Sequence, residues 1–129
     1  MVASLWLLWS AGVGALWGAT NPLIARGSTQ AAAEQRTGGS GCGLAGFWAA
    51  LLRTPAFWVP QLANWAGSAA FVFGLARGAD LSTAPLVANC TALIVNALAD
   101  SHLEGHSLDW RFTAPGLLLV AAGVYLCAS

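Results

Sequence analysis

Two sets of side chains in this sequence are of types that could do chemistry. One is a histidine–carboxylate string, and the other is a group of amides on otherwise apolar stretches. His102, Glu104 and His106 form H-x-E-x-H. Imidazoles and carboxylates are zinc ligands, and a metal-binding helix holds two histidines four apart on one face. Gly105 interrupts this string and turn-forming residues surround it, so a solvated loop is expected and no metal or cofactor is assigned. The amides are Asn21, Gln61, Asn64, Asn89 and Asn96. Gln61, Asn64 and Ser68 are three and four apart, which places them on one helical face. Asn89 and Asn96 share a face with Ser82, Pro85 and Ala92. An amide both donates and accepts hydrogen bonds, so such a set suits an uncharged or zwitterionic solute. Trp17 and Trp65 could stack on that solute. The substrate-binding candidates are therefore Trp17, Asn21, Gln61, Asn64, Trp65, Ser68, Asn89 and Asn96. The same amides would serve equally as hydrogen-bonding glue between membrane helices.

Other chemistries find less support. No apolar stretch carries a carboxylate, imidazole or amine that could act as a base, so no catalytic residue is assigned and an enzyme is not expected. The Gly-rich run at residues 37–43 lacks the Gly-Lys-Ser/Thr of a phosphate loop. Asn89-Cys90-Thr91 matches a glycosylation sequon but falls in mid-stretch, out of reach of the glycosylation machinery. Cys42, Cys90 and Cys127 are far apart and form no metal or redox motif, so they are read as unpaired.

The elements that must hold these residues are apolar rods. The chain has 129 residues, 57% hydrophobic and 8% charged, against about 25% charged in a soluble domain. It has no lysine. All ten charges fall outside four apolar runs, which are read as transmembrane helices over residues 4–25, 56–76, 81–99 and 112–128. About 20 helical residues cross a hydrocarbon core of about 30 Å, so the runs are long enough. In the first run, Ser10, Gly14, Gly18, Asn21 and Ala25 make a small, weakly polar face of the kind another helix can approach closely. Pro22 removes a backbone donor there and predicts a bend. Gly14, Gly18 and Gly123 are the helix-packing candidates. Residues 26–54 read as a flexible connection ending in a short amphipathic piece, and Thr54-Pro55 reads as a helix start with threonine as its cap. Arg77-Gly78-Ala79-Asp80 is a tight connection between antiparallel helices.

The fold class expected is all-α: a polytopic membrane protein, one domain over residues 1–129, built as an antiparallel bundle of four transmembrane helices. The first run lacks a basic leader and is longer than a signal-peptide core, so it is read as retained. Four arginines on the first and third connections against Arg77 on the second would place both termini outside. The formal net charge of zero suggests no nucleic-acid partner; the partners expected are the lipid bilayer and a homodimer or larger membrane complex.

ALWGATNPLIARGS at residues 15–28 resembles the start of the transmembrane protein 234 family, small four-helix relatives of the drug/metabolite transporter superfamily. PQLANWAGSAAFVFGLARGADLSTAPLVANCTALIV at residues 60–95 is similar to that family's second and third helices with their tight turn. Leu103-Glu104 lies where the superfamily tends to carry Gly-Glu, and residues 115–127 are similar to the closing helix. The resemblance covers most of the chain outside residues 26–54. It implies a drug/metabolite-transporter-like half unit that pairs with a second copy. Small multidrug-resistance members use a glutamate in their first helix to exchange protons for cationic drugs. Leu16-Trp17-Gly18 stands in that region with no carboxylate, so that mechanism does not carry over. The expected function is a small transporter-like unit working as a dimer, with a non-transporting scaffold or accessory subunit as the alternative.

Overall fold

A run that must satisfy every backbone group within itself, without water, does so as a helix. A computed structural model describes residues 2–37, 43–105 and 109–128. These residues form an all-α fold of five helices: α1 Val2–Thr37, α2 Leu44–Arg53, α3 Pro55–Ala76, α4 Ala84–Glu104 and α5 Trp110–Ala128. Among the described residues one helix, Ala84–Glu104, is long and apolar enough to cross a membrane by length and composition.

The organising element is α1. Its 36 residues extend about 54 Å at 1.5 Å per residue. α2, α3 and α4 all pack on it, whereas α3 and α4 make little contact with each other, and α5 leans on α4. Gly14 lies against Ala88 and Gly18 against Ala92, so α1 and α4 run in the same direction. A Cβ added to Gly14 would sit 2.1 Å from the Ala88 carbonyl oxygen, and one added to Gly18 2.5 Å from that of Ala92. The two backbones touch because the glycines of α1 present no side chain there. The α3 seam is antiparallel: Trp9 meets Gly74, Trp17 meets Gly67 and Gly27 meets Ala56.

Several expectations change. The first helix does not stop at Ala25 but continues to Thr37 through part of the stretch read as a flexible connection. Residues 31–36 are good helix formers, Gln30 donates to Glu34 across one turn at 3.0 Å, and Ala31 is fully buried. Residues 38–42, with Cys42, lie outside the described residues. The amphipathic piece is α2, which packs on α1 with Leu51 buried. Pro55 does open α3, but Thr54 does not cap it with its side chain. The Thr54 hydroxyl turns back to donate to the Ala50 carbonyl at 2.9 Å. α4 starts at Ala84 rather than residue 81, and α5 at Trp110 rather than residue 112.

The connection between α3 and α4 is held by its own hydrogen bonds. Gly78 takes the left-handed conformation (φ 103°) just past the end of α3. Its N–H donates to Leu75 at 3.2 Å, and that of Ala79 to Gly74 at 3.0 Å, which closes the helix end. The Asp80 carboxylate then accepts from the backbone N–H groups of Ser82 and Thr83 and from both hydroxyls. These bonds, the Ser82 hydroxyl first, hold the Asp80 carboxyl below its ordinary value.

Burial is inverted relative to a water-soluble domain. The buried apolar residues are Val13, Ala31, Leu51, Ala79, Ala84 and Ala88, and the buried polar ones Ser10, Thr20 and Thr54. Large apolar side chains on every helix face outward, among them Leu8, Trp48, Val72, Leu93 and Leu119.

Candidate functional site

Hydroxyl and amide chemistry concentrates where α1 crosses α3. Thr20 is 5% exposed, and its hydroxyl donates to the Leu16 carbonyl of its own helix at 2.8 Å. A lone pair of the same oxygen accepts from Asn64 Nδ2 at 3.0 Å. The same Nδ2 donates to Asn21 Oδ1 at 3.3 Å. An amide nitrogen carries two hydrogens, so both are engaged by α1. The Asn64 backbone carbonyl accepts from the Trp17 indole at 3.3 Å and from the Ser68 hydroxyl at 3.2 Å. One residue of α3 thus binds three residues of α1 at a single level of the seam.

Tryptophan repeats this arrangement along the helix. The Trp9 indole donates to the Ala70 carbonyl at 3.3 Å, one register nearer the end of α3. Trp9 and Trp17 are eight residues apart on α1, and the glycines they lie on, Gly74 and Gly67, are seven apart on α3. Each glycine leaves room for the N–H edge of an indole to approach the α3 backbone. Trp17 also meets the Phe71 ring at a centroid distance of 5.5 Å.

The other candidates are placed differently. Gln61 is half-buried on α3. Trp65 is 54% exposed and meets Trp58 edge-on at 6.0 Å rather than approaching Trp17. Asn96 is half-buried on α4 beside Gly18. Asn89 is exposed, because α4 meets α1 through Ala88 and Ala92. Trp17, Asn21, Asn64 and Ser68 are therefore brought together, while Asn89 and Asn96 belong to a different seam. Gly123 has nothing within 4 Å of where a Cβ would stand, so no described helix of this chain packs on it. Gly14 and Gly18 are covered by α4, which closes that face to a second copy.

Two clefts flank the seam, and none of the amides lines either one. One, about 520 Å³, lies among Leu5, Trp6, Leu8, Trp9 and Phe73. The other, about 410 Å³, lies among Leu23, Arg26, Gly27, Pro55, Ala56, Val59 and Pro60. His102 and Glu104 close α4, which Gly105 ends in the left-handed conformation (φ 69°). His106 lies outside the described residues. No group of three potential metal ligands occurs among the described residues.

Thr20, Gly27, Gly67 and Gly74 were not singled out from the sequence. The seven-residue spacing of Gly67 and Gly74 was a readable signal for a packing face. Nothing local marks Thr20, whose hydroxyl donates within its own helix and accepts from α3.

A helical chain with small residues inside and large apolar ones outside is of the membrane-helix class. The family model described as "Putative transmembrane family 234" matches residues 11–128. A protein of Dictyostelium discoideum named "Transmembrane protein 234 homolog" is 30% identical over 117 residues, covering 91% of this chain and 89% of the relative. No solved structure matches the chain. The chain belongs to transmembrane family 234.

Proposed function

We propose that this protein is a multi-pass membrane protein in which α1, α3, α4 and α5 each cross the bilayer, and that it serves as a non-transporting scaffold or accessory subunit. The membrane reading is supported by the inverted burial and by charge-free stretches within each of the four helices. In lipid, an outward Leu or Phe costs nothing, and small residues let backbones meet. The observation that carries the scaffold role is Asn64: both of its amide hydrogens are engaged by α1. An amide already bonded within its own chain has less left to offer a solute. Swelling of proteoliposomes in glycerol and in glycine gradients tests this role. A scaffold is expected to swell no faster than protein-free liposomes, whereas faster swelling that Asn64→Leu abolishes would overturn it.

The second reading is a transporter-like half unit that a second copy completes, moving an uncharged or zwitterionic solute. It is favoured by Asn21, which is exposed and whose own amide nitrogen makes no hydrogen bond among the described residues. The resemblance to the drug/metabolite transporter superfamily points the same way. The swelling measurement separates the two readings.

A further inference from the structure

Phe73, which lines the larger cleft, carries the Arg77 guanidinium on its ring. Leu5, Trp6, Leu8 and Trp9 of α1 and Phe73 of α3 enclose about 520 Å³, within the range of about 300–1,000 Å³ usual for small-molecule sites. Its shape follows from Gly74, which lets the Trp9 indole lie against α3, where it bonds Ala70. The Phe73 ring forms one wall, and the Arg77 guanidinium stands 4.6 Å from the centre of that ring. Arg77 has no ion-pair partner among the described residues. The nearest carboxylate in sequence, Asp80, is engaged by Ser82 and Thr83. Arg77 also follows the charge-free residues 54–76, which places it at the edge of the hydrocarbon in the membrane-spanning reading.

We propose that this cleft is a binding site for an anionic phospholipid, with an acyl chain against Trp6 and Trp9 and the phosphate on Arg77. The proposal rests on the membrane-spanning reading. An apolar cleft that opens beside an unpaired cation matches the two ends of such a lipid. A guanidinium pairs with phosphate through two parallel N–H bonds. A zwitterionic lipid brings its own cation to the same place and gains less from Arg77. Stacking on Phe73 holds the Arg77 guanidinium beside a residue of the cleft rather than free to sweep through solvent.

The test uses the full chain in phosphatidylcholine vesicles containing phosphatidylglycerol with a photoactivatable acyl chain, with crosslinks mapped by mass spectrometry. Crosslinks are expected at residues 5–9 and at Phe73. Unlabelled phosphatidylglycerol is expected to compete about fivefold better than phosphatidylcholine, which is about what one arginine contributes at a membrane surface. Arg77→Gln is expected to abolish that preference. Arg36→Gln, an equal loss of charge at the exposed end of α1, is expected to keep it. Equal competition by the two lipids in the unaltered chain, a preference that survives Arg77→Gln, or crosslinks only outside the cleft would overturn the site. Crosslinks nowhere in the chain would contradict the membrane-spanning reading, and the site with it.

Discussion

Asn64 shows how much one polar side chain can do in an apolar seam. Its Nδ2 joins Thr20 and Asn21, and its carbonyl takes the Trp17 indole. Replacing Asn64 with Leu removes both side-chain bonds while keeping bulk. The expected loss is about 0.6 kcal/mol, and no more than about 1.7, as for interhelical hydrogen bonds in other membrane proteins. Thermal unfolding in detergent micelles measures it. Thr20→Val removes one acceptor from the same amide, so adding it to Asn64→Leu should cost little more than Asn64→Leu alone. Fully additive losses would mean that the bond does not couple the two helices. Asp80 carries a separate, pH-dependent effect. Its carboxyl is held below the ordinary value by bonds from Ser82 and Thr83, so it stabilises the turn above the ordinary aspartate range. That contribution is lost as pH falls through the lowered value. Protection of the Ser82 and Thr83 amides, relative to their intrinsic exchange rates, should therefore be present at neutral pH and fall only in acid, and Asp80→Ala should abolish it throughout. At this scale the sequence pointed to Trp17, Asn21, Asn64 and Ser68 through residue type and spacing. It could not show that Asn89 faces away from α1, because a helical stripe carries no statement of which neighbour it meets.

Between elements, glycine decides how close α1 comes to its partners. A methyl at Gly14 would stand 2.1 Å from the Ala88 carbonyl oxygen, with backbone atoms that cannot swing aside. Gly14→Ala is expected to cost about 1–3 kcal/mol, as overpacked contacts do. Gly123→Ala meets nothing within 4 Å and should leave the unfolding midpoint in place. Equal effects of the two changes would show that the α1–α4 contact is not what holds these helices together. The small face around Gly14 and Gly18 was legible as a packing face, but not the helix it receives. The end of α1 was misjudged for a physical reason. Charge and polarity mark where hydrocarbon ends, not where a helix ends. Residues 26–37 keep helical propensity, and Ser28 and Thr29 donate to the Ala25 carbonyl at 2.7 and 3.0 Å without breaking it.

For the whole molecule the decisive feature is where its large side chains point. A water-soluble chain of this length buries Leu, Ile and Phe; here Ala, Ser and Thr are inside and Leu, Trp and Phe outside. The apolar runs were legible because charge is so scarce, and helix is the conformation such runs adopt in lipid. The arrangement, with α1 between α3 and α4 and α5 at the margin, was not legible, since pairing depends on contacts distant in sequence. Membrane sidedness tests the four crossings. With the native cysteines replaced, single cysteines are placed at Thr37, Gly78 and Gly105 and treated with an impermeant maleimide on sealed vesicles. Four crossings are expected to put Thr37 and Gly105 on one side and Gly78 on the other. If α4 alone crosses, Thr37 reacts from the side of Gly78, and the four-span arrangement is contradicted.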